Sequence, residues 1–258
     1  MQTRIMVELN KIALHALDSR IILQGVDESA PSWNLTAQSR ASRYGKLYTG
    51  TEKRYRDIVV RFAISIVRDL GERERILQQV IGWAAEGGEL RLSYRPGQRL
   101  YVVCTAPPAV SSIDQWANSY QITFRAYDIP EWMEVSPKRT TVTDSGGTAT
   151  LIIEANAGGK LEFSAANSSG SACTTMTVTA NGQSFIFSSL GLASGSTLQC
   201  KYNTHDIQSL KIGSTSVLEK RTSASADDIW LKKGQNEITF SANVSLEWTF
   251  FCYGRWYG

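Results

Sequence analysis

Histidine is nearly absent from this 258-residue chain, which holds only His15 and His205. A nucleophilic triad needs a base beside its nucleophile, and that base is usually histidine. His15 sits in the apolar stretch LNKIALHALDS and reads as a packed side chain, whereas His205 sits in the polar segment KYNTHDIQ and reads as a loop residue. Cysteine is sparse too: Cys104, Cys173, Cys200 and Cys252 contain no Cys-x-x-Cys pair, which argues against a zinc ribbon or a disulfide framework and for buried free thiols. No apolar run approaches the roughly 18 residues of a membrane span. The opening MQTRIMVELNKIAL carries charge where a signal peptide has its apolar segment, so synthesis in a cytoplasm is expected and the sequons at Asn34, Asn167 and Asn243 carry no meaning.

Charge of one sign is also lacking. The net charge is +3, with 19 Lys and Arg against 15 Asp and Glu in residues 1–139 and 8 against 9 in 140–258. An excess of +4 in the first half falls well short of the basic stripe of a dedicated nucleic-acid binder. Paired carboxylates of the kind glycoside hydrolysis requires are visible, such as Asp227-Asp228, which reads as a turn into a strand, and Glu72 and Glu74, whose charges suit a helix N-terminus. No catalytic, cofactor-binding or metal-binding residue is assigned, and no cofactor is expected.

What is present divides into two grammars. In residues 56–65, RDIVVRFAIS, the residues Ile58, Val60, Phe62 and Ile64 alternate with Val59 and Arg61, the period of a half-buried strand. GERERILQQVIGWAAEGG then spaces Ile76, Leu77, Val80, Ile81 and Ala84 at helical intervals, with Asp69 as the cap and Gly87-Gly88 as the stop. ELRLSY and RLYVVCTA follow as strands about the turn Arg95-Pro96-Gly97-Gln98, and YQITFRAY (120–127) alternates again. This half reads as an α+β domain, a β-sandwich with one helix. The stretch 136–150 is rich in Pro, Gly and small polar residues, so the expected map is a domain over 1–136, a linker over 137–147 and a second domain over 148–258.

The second half is strand grammar throughout. TLIIE, KLEFSA, TTMTVTA, QSFIF, TLQCKY, SLKIG, SVLEK, DIWLK, EITFSA and SLEWTFFCYGRWY are separated by turn signals, of which Asn181-Gly182 is the strongest hairpin signal in the chain. Short strands at this spacing predict an all-β jelly-roll sandwich. Alternation turns Trp248 inward and makes Trp230 the better surface aromatic.

In order and local wording the chain resembles the distal tail proteins, called Dit, of phages with long non-contractile tails. The resemblance rests on a basic arm, SRASRYGKLYTGTEKRYRDIVVRFAIS, on the helix ERERILQQVIGWAAEGGELRL, and on a closing phrase formed by Phe124, Ala126, Tyr127, Asp128 and Pro130. The second half looks like that family's galectin-like module, with Gly234, Asn236, Ile238, Phe240 and Ala242 matching its G-x-N-x-I-x-F-x-A phrase. The arm departs from the usual form in having only Gly45 and Gly50 and in being rich in Tyr and Arg.

The resemblance implies a homo-hexameric ring between tail tube and baseplate hub at the virion tail tip, made in the host cytoplasm, with DNA only passing through. It also allows a receptor-binding protein or a cell-surface glycan as a further partner. Arg43, Tyr44, Tyr48, Arg54 and Arg56 are then candidate inter-subunit residues of the arm, and the strand over 56–65 is a candidate edge for pairing with a neighbour. Asn203, His205, Arg221 and Trp230 form a candidate glycan or partner contact, since an exposed aromatic offers a sugar an apolar platform. The competing reading is a stand-alone carbohydrate-binding or adhesion protein.

Overall fold

The alternation over Arg56–Ser65 does form a strand, with Ile58, Val60, Phe62 and Ile64 fully buried. It lies inside the first of two units into which the chain divides, Met1–Trp132 with Tyr257–Gly258, and Met133–Trp256. The structure is a computed structural model that describes residues 5–39, 46–65, 69–113 and 117–257; the side chains of 33–39, 46–53, 109–113 and 117–118 are not described.

The first unit contains β1 (Val7–Leu9), β2 (Ile12–Ala13), α1 (Leu14–Leu17), β3 (Ile21–Glu28), β4 (Trp33–Ser39), β5 (Lys46–Lys53), β6 (Arg56–Ser65), α2 (Leu70–Ala85), β7 (Gly88–Leu92), β8 (Gln98–Ile113) and β9 (Ala117–Ala126), with β10 (Trp132–Glu134) at its boundary. Its sheet runs β2-β1-β7-β8-β9-β6-β3, while β4 and β5 form a separate two-stranded hairpin. Strand β6 pairs with β3 on one side and β9 on the other, so it offers no free edge; the described ends of this path are β2 and β3. The sequence expectation fails here because alternation reports burial of one face and is silent about position in the sheet. Pro107 and Pro108, which cannot donate to a ladder, fall where the β8–β9 register shifts.

Helix α2 begins where its sequence predicts. The Asp69 carboxylate accepts a hydrogen bond from Gly71 N at 2.8 Å, and Arg73, Ile76, Val80 and Ala84 make the buried stripe. Gly87 has φ +61°, and a Cβ there would lie 2.4 Å from the Val102 carbonyl oxygen, so the chain leaves the helix as only glycine permits. Trp83 meets Phe124 of β9 edge-on at 6.0 Å and donates its indole N–H to the Ile12 carbonyl at 3.0 Å.

The second unit is a curled antiparallel sheet of β11 (Lys138–Ile153), β13 (Glu162–Ala166), β14 (Met176–Ala180), β15 (Gln183–Phe187), β16 (Thr197–Tyr202), β17 (Gln208–Ile212), β18 (Thr215–Ser216) and β20 (Gly234–Cys252). Two small pieces, β12 (Gly159–Lys160) and β19 (Trp230–Leu231), pair with each other, and β21 (Arg255–Trp256) ends the unit. Along the sheet the order is β15-β14-β20-β13-β16-β17-β18, and β11 lies along β20. Asn181 and Gly182 both have positive φ, 51° and 78°, in the two-residue turn between β14 and β15 that their sequence calls for.

Three readings of this half change. The stretch 137–147, expected as a linker, is from Lys138 onward the first part of β11, paired with Leu246–Cys252 of β20. Its threonines are good strand formers, and of the half-buried Lys138, Thr140 and Val142 on its inward side only Val142 is apolar, so it shows no apolar period. EITFSA and the SLEWTFFC part of SLEWTFFCYGRWY are joined in one 19-residue strand that ends at Cys252, because Ala242–Ser245 holds neither glycine nor proline to end it. Within SVLEK, Leu218–Lys220 is a 3-10 turn in place of the expected strand.

Asn236, the polar residue of the G-x-N-x-I-x-F-x-A phrase, is 2% exposed and pins the entry to β20. Its Oδ1 accepts from Lys232 N and Asn181 Nδ2, both at 2.9 Å, and its Nδ2 donates to the carbonyls of Lys232 (2.8 Å) and Gly234 (3.0 Å). Asn236→Ala removes these bonds and strands the Lys232 N–H, a cost of about 2–3 kcal/mol. Urea denaturation should show that loss as a lowered midpoint with an unchanged slope.

Candidate functional site

The β4–β5 hairpin is the basic arm, and its root carries a cluster of charged side chains. Of the arm candidates, Arg43 and Tyr44 lie outside the described residues, and Tyr48 lies on β5 with its side chain outside the description. Arg54 is exposed at the root, where its N–H donates to the Ser32 carbonyl at 2.9 Å and Ser32 N donates to the Tyr55 carbonyl at 2.7 Å. Arg56 is 1% exposed. It shares the inward parity of Ile58 and Val60, so extending the alternation by one step would have found it. It is placed as an internal brace, away from the surface that a direct contact needs.

Arg56 lies beside the carboxylate of Glu28, at the end of β3, with Nη1 3.9 Å from Glu28 Oε2, and it donates to the carbonyl of Tyr257. Glu28 also accepts from Tyr94 Oη at 2.7 Å, Arg95 Nε at 2.8 Å and Trp132 Nε1 at 2.9 Å, while Arg95 lies 5.1 Å over the Trp132 ring. Burial pushes the Glu28 carboxyl up, but hydrogen bonds from Arg95 and Tyr94 outweigh it and hold the group below its ordinary 4.5. Burial lowers Arg56, opposed by the Glu28 charge, and its Nε and Nη1 lack hydrogen-bond partners. This hub joins residues from five separate stretches, Glu28, Arg56, Tyr94-Arg95, Trp132 and Tyr257, and has no local motif, which is why sequence reading missed it.

Beside the root, Asp57 receives Arg125 in a two-pronged pair at 2.6 and 2.8 Å, and the Arg125 guanidinium stacks 3.9 Å over Tyr55 and 5.7 Å from Tyr127. Tyr127 is 49% exposed. Arginine and tyrosine presented on a braced backbone are the composition of an interface anchor.

In the second unit the structure gathers part of the candidate contact. Asn203 is turned on its own loop, its Oδ1 accepting from the backbone N–H groups of His205 and Ile207, both at 2.9 Å, while the His205 side chain is exposed. The loop delivers Asp206, with φ +60°, to Arg255 at 2.5 and 3.2 Å and to Lys160 at 3.1 Å. Lys160 also holds Asp228 at 2.9 Å and lies 4.5 Å over the Tyr202 ring. Arg255 in turn covers one face of the half-buried Trp230 at 5.0 Å. Arg221 stands apart, its Nη1 directed at the carbonyls of Ala226 (3.1 Å) and Asp227 (3.3 Å). The set is linked, but as a self-satisfied network: the platform on Trp230 already carries a cation.

Among the described residues no cluster of three or more His, Cys, Asp or Glu is placed to hold a metal. The four cysteines are free thiols, and burial pushes Cys252 up to about 12 and Cys200 still higher, so both stay protonated and inert.

No family model matches the chain, and no curated protein matches it in sequence. Solved structures do. The chain is similar to the crystal structure of the Dit protein of phage SPP1, described as a paradigm of the hub adsorption apparatus in phages infecting Gram-positive bacteria, with TM-score 0.73 and 12% identity over 96% of this chain and 98% of that one. It is also similar to a chain of the phage P2 baseplate in its activated, calcium-containing conformation, with TM-score 0.50 and 8% identity over 91% and 90% of the two chains. The fold is thus of the phage baseplate and tail-hub type. The SPP1 match spans an α+β first unit and a curled antiparallel second unit in the same chain.

Glu28→Ala leaves the Arg95 guanidinium, the Tyr94 hydroxyl and the Trp132 indole N–H without their acceptor and the buried Arg56 guanidinium without its counter-charge, which should cost about 3–5 kcal/mol. Arg61→Ala, which breaks the exposed pair with Asp27, should cost about 1 kcal/mol or less. Because the Glu28 pKa is depressed, its stabilisation is present above the ordinary carboxylate value and lost as pH falls through the folded value. Acid titration followed by near-ultraviolet circular dichroism should therefore show Glu28→Ala flattening the acid limb of the wild-type curve.

Proposed function

We propose that this chain is a distal tail protein of a phage or prophage with a long non-contractile tail. Six copies form a ring between the tail tube and the baseplate hub, located at the virion tail tip and synthesised in the host cytoplasm. The observation that carries the reading is the TM-score of 0.73 across 96% of the chain, with both units included in one match. The work of such a protein is assembly, and the ring passes DNA without reading it.

A closed ring needs two different surfaces of one chain that complement each other. The first unit supplies the arm, with Arg43, Tyr44, Tyr48 and Arg54 as contact residues, and a root braced from inside by Arg56 and Glu28. The open side of β3 is a second candidate surface. The second unit is read as the galectin-like module, and Asn203, His205, Arg221 and Trp230 as a contact for neighbouring baseplate or receptor-binding proteins in preference to a sugar, because Arg255 occupies one face of Trp230.

Produced together with its tube and hub neighbours, the protein should give six-fold averages in negative stain. A persistent dimer under those conditions overturns the ring. On a glycan array the full chain should show no tight ligand. One clear sugar, lost in Trp230→Ala while the protein stays folded, would replace the partner reading of the second unit with an adhesive one.

A further inference from the structure

Glu162 opens β13 opposite Phe251 of β20, and one step on from the Phe163–Cys200 pair its other cross-strand neighbour is Lys201 of β16. It is 7% exposed, an unusual place for a carboxyl. Its partner is the backbone N–H of Tyr202, the residue that leads into the Asn203–Ile207 loop.

The charged and titratable groups around it come from every neighbouring element. Lys201 and Cys200 lie on β16, Cys252 on β20, Lys160 on β12, Asp206 on the loop, Asp228 before β19 and Arg255 on β21, with Arg139 one strand further on β11 opposite Phe251. The cations do not neutralise Glu162. Arg255 is committed to Asp206 and to the face of Trp230, Lys160 to Asp206 and Asp228, and Lys201 is exposed to solvent. Asp206 adds a like charge.

We propose that Glu162 is a proton-operated latch beneath the Asn203–Ile207 loop. Protonated, it is a neutral group under an intact Asp206–Arg255 pair. Ionised, it repels Asp206 and competes with it for Arg255, and the loop and the β21 segment loosen together. That loop carries Asn203 and His205, so the latch governs how the candidate contact is presented.

Burial raises the Glu162 carboxyl from its ordinary 4.5 to about 7, with the Asp206 charge adding to the rise and the Tyr202 N–H, Lys201 and Arg255 opposing it. The folded form therefore binds the proton more tightly than the opened form does. The latch is fully closed below the ordinary value, and its stabilisation is lost as pH rises toward and through about 7.

Hydrogen exchange of the full chain, corrected for intrinsic rates, tests this. Opening of residues 203–207 and 253–256 should increase about tenfold per pH unit between about 5 and about 7 and then level off. Glu162→Gln, which cannot ionise, should hold both segments protected at every pH. A flat wild-type profile, or the same pH dependence in Glu162→Gln, overturns the latch. Should that variant fail to fold, carbon NMR of side-chain carboxyls in the wild-type chain decides alone: a Glu titrating near neutrality supports the proposal, and all Glu titrating in the ordinary carboxylate range sinks it.

Discussion

The second unit depends on one strand that never changes the side it buries. From Asn236 to Cys252 every even-numbered position of β20 is buried or half-buried, and the odd positions face outward. Its partner β11 cannot keep step. Val142 packs toward the core near Trp248, but further along it is the odd-numbered Ala149, Leu151 and Ile153 that are buried. The change of parity is made where the register shifts between Asp144 and Gly146. Gly147 passes its backbone close to the Phe240 ring, and Trp248 fastens the spot by donating its indole N–H to the Asp144 carbonyl at 3.0 Å. Without that bulge, three core residues of β11 would turn to solvent. The Gly146-Gly147 pair that resembles a linker in the sequence is the joint that lets two long strands share one core.

Charge is handled differently in the two units. At the arm root, the arginines and Glu28 are desolvated together, and a buried ionic cluster of this kind adds little net stability while penalising any other arrangement of its members. Its effect is to fix a position: the ends of β3 and β6 are held where the hairpin departs, and Ser29, Ser32, Arg54 and Asp57 complete the clamp through backbone bonds. Around Asp206 the charges draw a strained loop residue onto two cations, and the carboxyl of Glu162 lies beneath with no cation of its own.

What the sequence disclosed was whatever repeats with a period or sits in a turn. The face of β6, the cap and stripe of α2, the Asn181-Gly182 hairpin and the inward Trp248 were all legible because each depends on residues a few positions apart. The interior place of β6 in its sheet and the pairing of Lys138–Asp144 were not, since β6 is flanked by strands far from it in sequence, Ile21–Glu28 and Ala117–Ala126, and Lys138–Asp144 pairs with Leu246–Cys252. The site residues divide along the same line. Trp230 was picked out by local alternation, but the cation that covers it is Arg255; the inward parity of Arg56 was legible in the alternation of β6, whereas the Glu28 carboxylate beside it, on β3, was not.

An architecture shared at 12% identity implies that very few side chains are needed to specify it. What must persist is the spacing of apolar positions and the turns, and function then rests on surfaces that vary freely. The chain's own chemistry separates a constant part from a variable one. The arm root is built from arginines, charged at any physiological pH, around a carboxyl held below its ordinary range, so it does not respond near neutrality. The second unit keeps a carboxyl that burial pushes up to about 7 beside the loop of its candidate contact. The first arrangement holds a surface in one form whatever the pH, and the second lets the presentation of a surface change with it.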